Sequence, residues 1–341
     1  MCLSWCWRRT RDARTTHPPV IPGDCLVPED HDPMLGPRYA GVPTFMRTPL
    51  AGDLSQLDIA LVGVPYDGAT EARPGARHGP RQIRDLSSMM RAIHPLTRIN
   101  PYELCNIADA GDVPLSHALD IPSSMAEIEA FYAKLRAADV VPVSAGGDHS
   151  ITLPILRALA KDRPLGMFHV DAHTDTCDEE MGSRFSHGTP FRRAVEEGLL
   201  DPKRVIQIGI RGAANSEEAW AFSAEAGMRV VTMDEFERVG TAAVIEEARK
   251  VIGEGPAYLT FDVDGLDPTY APGTGTPEIG GLTTREGLAL VRGMRGANLV
   301  GGDVVEVSPP FDPTGNTALV GATMMYEILC LLAEAAAGRK S

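Results

Sequence analysis

The chain has 341 residues, 43% hydrophobic and 23% charged, the proportions of a globular protein rather than a disordered or fibrous one, and its length suits one large α/β domain with a tail. Its 46 acidic against 32 basic residues give a net charge of −14, which speaks against a nucleic-acid backbone or an anionic membrane as partner. The six cysteines, Cys2, Cys6, Cys25, Cys105, Cys177 and Cys330, contain no CxxC pair, so no zinc knuckle or disulfide framework is expected and a reducing, cytoplasmic setting fits.

Residues 1–32 are rich in Arg, Pro, Thr and Asp without apolar periodicity, and read as a mobile N-terminal extension ahead of a single catalytic domain over 33–341. The short apolar run at the start precedes the basic residues, the reverse of a secretory signal. From there, apolar runs rich in Val and Ile predict strands at Leu57 to Val64, Asp139 to Ser144, Pro164 to Val170, Arg204 to Ile210, Met228 to Val231, Ala257 to Phe261 and Leu299 to Val305. Helical periodicity falls between them, at Met125 to Ala137, Ser150 to Lys161, Pro190 to Gly198, Ser216 to Ala226, Thr241 to Ile252, Thr284 to Met294 and Thr317 to Ala337. The last is interrupted by Glu327 and Glu334 and reads as a core-facing helix, not a membrane span. Strands apolar nearly throughout, alternating with helices, specify a mostly parallel sheet covered on both faces: a three-layer α/β/α sandwich.

In such sheets chemistry gathers at the carboxyl ends of the strands. Three of the runs end in polar residues of the required kind. Val141-Pro-Val-Ser leads into Ala145-Gly-Gly-Asp-His149-Ser150, where Gly146 and Gly147 permit close backbone approach and Ser150 is placed to cap the next helix; alone, His149 would pass for a structural histidine. Gly166-Met-Phe-His-Val ends in Asp171-Ala-His173-Thr-Asp175, three candidate ligands with period two. Such a group repels itself unless a cation compensates it, the bland alternative being a solvated acidic loop. His169 continues the alternation, and a buried or supporting role is preferred for it over direct ligation. Tyr258-Leu-Thr-Phe runs into Asp262-Val-Asp264, followed by a turn-rich loop from Gly265 to Pro277 able to wall a pocket. Four carboxylates and two imidazoles exceed what one divalent ion can use, whereas two ions about 3.5–4 Å apart can share them. A thiol-free set suits Mn²⁺, with Ni²⁺, Co²⁺ and Fe²⁺ open.

GGDHS, DAHTD and FDVDGLDP, in this order, resemble the ureohydrolase family of arginases, agmatinases and guanidinobutyrases, over about Pro37 to Leu332. Gly75 to Arg81, Ser186 to Phe191, Gly273 to Thr283 and Asp303 to Pro309 agree with its agmatinase-like branch. The resemblance implies that His149, Asp171, Asp175 and Asp262 hold one metal and Asp171, His173, Asp262 and Asp264 the other. It further implies that a metal-bridging hydroxide, to which Asp175 can offer a hydrogen-bond acceptor, attacks the guanidinium carbon. Glu306 would face the substrate guanidinium, where a charge-assisted planar contact suits a cation that does not readily deprotonate; its bland alternative is a cap or salt-bridge glutamate. His187 would pass a proton to the leaving amine. Trimers or hexamers, and a paralogous sister subunit, are the partners the family suggests.

Arginase proper is disfavoured by Arg211-Gly-Ala-Ala-Asn-Ser-Glu, where arginases carry an acidic Asp-Pro-Gly-Glu-His type loop, and by Cys177, where they carry asparagine. Agmatine, favoured as the commonest substrate of the branch, 4-guanidinobutyrate and 3-guanidinopropionate remain, with guanidine or a biguanide as the alternative, while Val307 to Thr317 looks more like guanidinobutyrases. Two rival readings are a deacetylase on the same fold, which needs one zinc and leaves His149, His173 and the Asp262–Asp264 pair unexplained, and a partner-dependent subunit, which would be expected to have lost ligands.

Overall fold

A computed structural model describes residues 36–214 and 217–340. The extension expected at 1–32, with Cys2, Cys6 and Cys25, lies outside the described residues, as do Asn215 and Ser216.

Eight strands form one sheet: β1 Ile59–Val64, β2 Ile107–Asp112, β3 Val141–Gly146, β4 Leu165–Val170, β5 Leu200–Ile210, β6 Arg229–Thr232, β7 Ala257–Asp262 and β8 Leu299–Val305. They run in the order β2-β1-β3-β8-β7-β4-β5-β6, and every pairing is parallel. The apolar runs are buried on both faces because alternate residues feed different cores. Ile59 and Leu61 of β1 pack with the helices Gly79–Ser87, Thr241–Ile252, Thr284–Gly293 and Asn316–Lys340, whereas Ala60, Val62 and Val64 pack with Ile121–Ala137, Thr152–Leu159 and Pro190–Glu196. The expected three layers are present, with a wholly parallel sheet. Asn316–Arg339 is the one helix among the described residues with the length and hydropathy to cross a bilayer, yet most of it is buried in this core.

The structure adds elements that the sequence pattern did not single out. Strand β2, Ile-Ala-Asp-Ala-Gly-Asp, is interrupted by polar residues because it is the sheet edge and because Asp109 serves a structural purpose. The fully buried Asp109 carboxylate accepts from Phe45 N at 2.8 Å, Gly111 N at 2.8 Å and Arg84 Nε at 2.9 Å. Arg84 sits on the helix Gly79–Ser87, absent from the sequence reading because Ile83 is its only buried aliphatic residue. Removing one partner from a buried ion pair strands the other charge. Arg84→Met is therefore expected to lower unfolding free energy by about 3 kcal/mol in a denaturant titration, with metal content untouched; a loss below about 1 kcal/mol would show that the backbone N–H groups alone carry Asp109.

Element boundaries shifted where capping chemistry decided them. The helix expected from Met125 starts at Ile121, because Asp120 accepts from Ser123 N at 3.0 Å and Pro122 suits a first turn. Ser150 does not cap a helix: it lies inside the 3₁₀ turn His149–Ile151, and the capping acceptor is Asp148, which takes Ser150 N at 3.0 Å.

Candidate metal centre

The four central strands β3, β8, β7 and β4 are neighbours, and their carboxyl ends deliver the candidate residues to one rim. After β3 the chain turns through Gly147, where a Cβ would stand 2.2 Å from Tyr66 O, so only glycine allows the approach that brings His149 inward. Asp171, His173 and Asp175 follow β4, Asp262 and Asp264 close β7, and Glu306 follows β8.

All six predicted ligands converge. His149 Nδ1 lies 3.0 Å from Asp171 Oδ2, 2.9 Å from Asp175 Oδ2 and 3.3 Å from Asp262 Oδ2. His173 Nδ1 lies 3.2 Å from Asp264 Oδ2 and 3.5 Å from Asp171 Oδ1. Two groups able to hold an ion result, one of His149, His169, Asp171 and Asp175 and one of Asp171, His173 and Asp264, with Asp171 common to both; Asp262 belongs to neither and meets the first through His149 Nδ1. His169, a buried member of the first group, meets Asp171 Oδ2 through Nε2 at 2.7 Å, a contact compatible with the supporting role expected for it and with a place among the ligands.

Whether these residues suit a cation is decided at His149. Thr260 donates its hydroxyl proton to Asp303 Oδ1 at 2.5 Å, so its oxygen is left to accept from His149 Nε2 at 2.8 Å. Asp303 is itself fixed by Tyr258 and Thr152, which both donate to Oδ2. Nε2 therefore carries a proton in either charge state of the ring, and it is Nδ1, set against three carboxylate oxygens, that gives up its proton and presents a lone pair when a cation binds. Nδ1 is a buried polar atom with no hydrogen-bond partner of acceptable geometry. A divalent ion reconciles that arrangement; the residues fit one.

The electrostatics of the metal-free cluster agree. Burial pushes Asp175 up to about 7, with repulsion from Asp171 adding to it, and burial with the charges of Asp264 and Asp171 pushes Asp262 well above the carboxylate range. Burial alone would depress His149, but Asp171, Asp175 and Asp262 around it drive it well above an ordinary imidazole. Each raised group retains a proton that a metal must displace, so affinity falls as pH falls. Calorimetric titration of the metal-free protein with Mn²⁺ in buffers of different ionisation enthalpy is expected to show proton release and weaker binding below neutrality; pH-independent binding without proton release would contradict it.

Glu306 and His187 form the second half of the site. Glu306 Oε1 accepts from His149 N at 2.9 Å and meets His187 Nδ1 at 2.9 Å, while Oε2 is buried without a partner and faces the cavity. His187 Nε2 meets Glu71 Oε2 at 2.8 Å. Burial opposes the charged form of His187, but the charges and hydrogen bonds of Glu306 and Glu71 hold its proton well above the usual imidazole range. Asp175 and Glu306 both adopt left-handed backbone, φ +53° and +64°, which non-glycine residues tolerate only when the surroundings enforce it.

The cavity over these groups has a volume of about 590 Å³. The loop expected to wall it does so through Thr276 and Pro277, and Cys177 also lines it, its thiol pushed up to about 12 by burial and by Glu180 and Asp175. Glu71, Thr260 and Asp303 were not singled out from sequence. Only Asp303 left a signal, as a charge inside the apolar run Leu299 to Val305.

The sequence model of the arginase family matches residues 57–331. Guanidinopropionase of Pseudomonas aeruginosa is 58% identical over 302 residues, covering 88% of this chain and 95% of that protein. Mitochondrial agmatinase of Gallus gallus is 48% identical, covering 86% and 87%. The solved structure of proclavaminate amidino hydrolase from Streptomyces clavuligerus superposes with a TM-score of 0.85 at 40% identity, covering 88% of this chain and 100% of that one.

Proposed function

We propose, from the premise that the chain belongs to the arginase family, that it is a binuclear-metal amidinohydrolase releasing urea from a small guanidino compound. The observation that carries the reading is His149 Nδ1, locked by Thr260 and Asp303 to face Asp171, Asp175 and Asp262. His149, Asp171, Asp175 and Asp262 would hold one ion and Asp171, His173, Asp262 and Asp264 the other, with Mn²⁺ the better match to an oxygen-rich set and Ni²⁺ next. Bound divalent ions supply Lewis acidity and a water-derived nucleophile near neutral pH.

The chain's own groups supply the rest. A guanidinium stays protonated throughout the physiological range, so it needs an anionic acceptor, and Glu306 Oε2 is one that burial has left unpaired. His149 N and His187 both grip Oε1, which fixes the plane in which Oε2 meets the guanidinium. His187, held between Glu306 and Glu71, keeps a proton close to the reacting centre, where it can be given to the departing amine. Asp175 offers a carboxylate oxygen on the metal side of the same space.

Two observations bear on the other end of the substrate, and they point in opposite directions. Identity of 58% to a guanidinopropionase favours a guanidino acid. The cavity wall favours a cationic or neutral end: Glu179, Glu180, Glu218 and Glu278 line it, no Lys or Arg does among the described residues, and nearby Arg211 is committed to backbone carbonyls, including Asp264 O at 2.8 Å and Glu278 O at 2.6 Å. The deciding assay loads purified protein separately with Mn²⁺ and Ni²⁺ and measures urea from agmatine, 4-guanidinobutyrate, 3-guanidinopropionate, L-arginine, guanidine and a biguanide. Urea from one of them is expected. None with either metal would overturn the reading in favour of a subunit active only beside a paralogous sister chain.

A further inference from the structure

We infer that Gln207, on β5 and outside the three strands, β3, β4 and β7, that lead into the ligands, is a positioning residue that sets the geometry of the metal centre from behind; the inference rests on the binuclear reading above. Its side chain is fully buried, and its amide NH₂ is directed at the ligand segment. Nε2 donates to Thr174 O at 2.6 Å and to His169 Nδ1 at 3.1 Å, while Oε1 accepts from Ser223 Oγ at 2.9 Å.

These contacts permit one assignment. Thr174 O only accepts, so the Gln207 atom against it is the NH₂ group and not the carbonyl. The same NH₂ faces His169 Nδ1, which must then accept, and the neutral imidazole must carry its proton on Nε2. That proton points at Asp171 Oδ2, 2.7 Å away. His173 N meanwhile donates to Asp171 Oδ1 at 2.7 Å, so both oxygens of the shared ligand are oriented, one of them by a chain that ends at Gln207. The second bond acts on the backbone. Thr174 lies between His173 and Asp175, so anchoring its carbonyl fixes the turn from which both of those side chains project.

Loss of a partner that orients a metal ligand typically costs about 10–100-fold in metal affinity or activity. Ser223 extends the chain to the helix Glu218–Ala226, whose first turn lines the cavity with Glu218 and Trp220. The placement of that wall and of the shared ligand is thereby tied to one amide.

The test uses the full chain stripped of metal and titrated with Mn²⁺ by calorimetry, with thermal unfolding of the metal-free protein as a separate reading of the fold. Gln207→Leu keeps volume and removes the donors; it is expected to weaken Mn²⁺ binding by about 10–100-fold while the metal-free protein still unfolds cooperatively. Ser223→Ala leaves the amide in place but frees its orientation, and is expected to weaken binding in the same direction by less. Should Gln207→Leu fail to fold, Ser223→Ala carries the test alone. Unchanged Mn²⁺ affinity in the folded variants, with only the metal-free unfolding temperature lowered, would overturn the proposal and leave Gln207 as packing. Wild-type protein that binds neither Mn²⁺ nor Ni²⁺ would instead overturn the metal-centre reading, and this proposal with it.

Discussion

Asp171→Asn is expected to cut urea release by about a thousandfold or more and to leave the purified protein short of metal, because metal-derived stabilisation worth several kcal/mol is lost at about 1.4 kcal/mol per tenfold. Asp171 is the residue common to both ligand groups, and it carries the contacts to His149, His169 and His173. Those histidines hold it ionised: burial alone would raise it, yet His169, with His149 and His173, brings it well below the carboxylate range. An asparagine keeps the shape and loses the charge. Its amide nitrogen has no lone pair to offer a metal, and it would turn a second donor toward His169 Nε2 or His173 N. Urea assay and elemental analysis of one preparation check the outcome; full metal content with a rate within tenfold of wild type would remove Asp171 from its shared position.

Glu306→Gln separates substrate recognition from metal binding. The variant keeps an oxygen for His149 N and His187 and keeps the length of the side chain, while the oxygen now unpartnered in the cavity becomes an NH₂ or loses its charge. Replacing half of a desolvated, hydrogen-bonded charge pair costs about 2–5 kcal/mol, so kcat/KM should fall by roughly thirtyfold to a few thousandfold. Metal content is expected to remain at the wild-type level. Loss of metal together with activity would mark Glu306 as a ligand or support of the centre, and an unchanged kcat/KM would remove it from substrate binding altogether.

The fold was legible because β1, β3, β4, β5, β7 and β8 are buried on both faces, which demands near-continuous apolar sequence, and because every ligand stands directly after such a run. Strand β2 escaped because an edge strand can carry Asp109, Gly111 and Asp112 at little cost once Arg84 compensates the buried carboxylate. The candidate ligands that converge could be read from local spacing; the residues that contact them could not. Thr260 and Gln207 look like ordinary polar residues of a strand, and only the pairing of β7 with β8, and of β4 with β5, gives each a partner. Glu71 reaches His187 across a separation of 116 residues, through loops whose closure no periodicity announces.

Left-handed backbone at Asp175 and Glu306 sets a limit on how far this molecule could be hardened by selection for heat resistance. An L-residue held there costs about 1–2 kcal/mol, which glycine or asparagine would largely recover. At Glu306 the same exchange would also lift a buried carboxylate from beside Asp148, whose own proton affinity rises to about 6 through burial and the Glu306 charge. The exchange would also strand the His149 N–H and the His187 ring that Oε1 satisfies, at about 3–5 kcal/mol, so selection for heat resistance gains nothing at this position and the strained backbone persists together with the grip on the guanidinium.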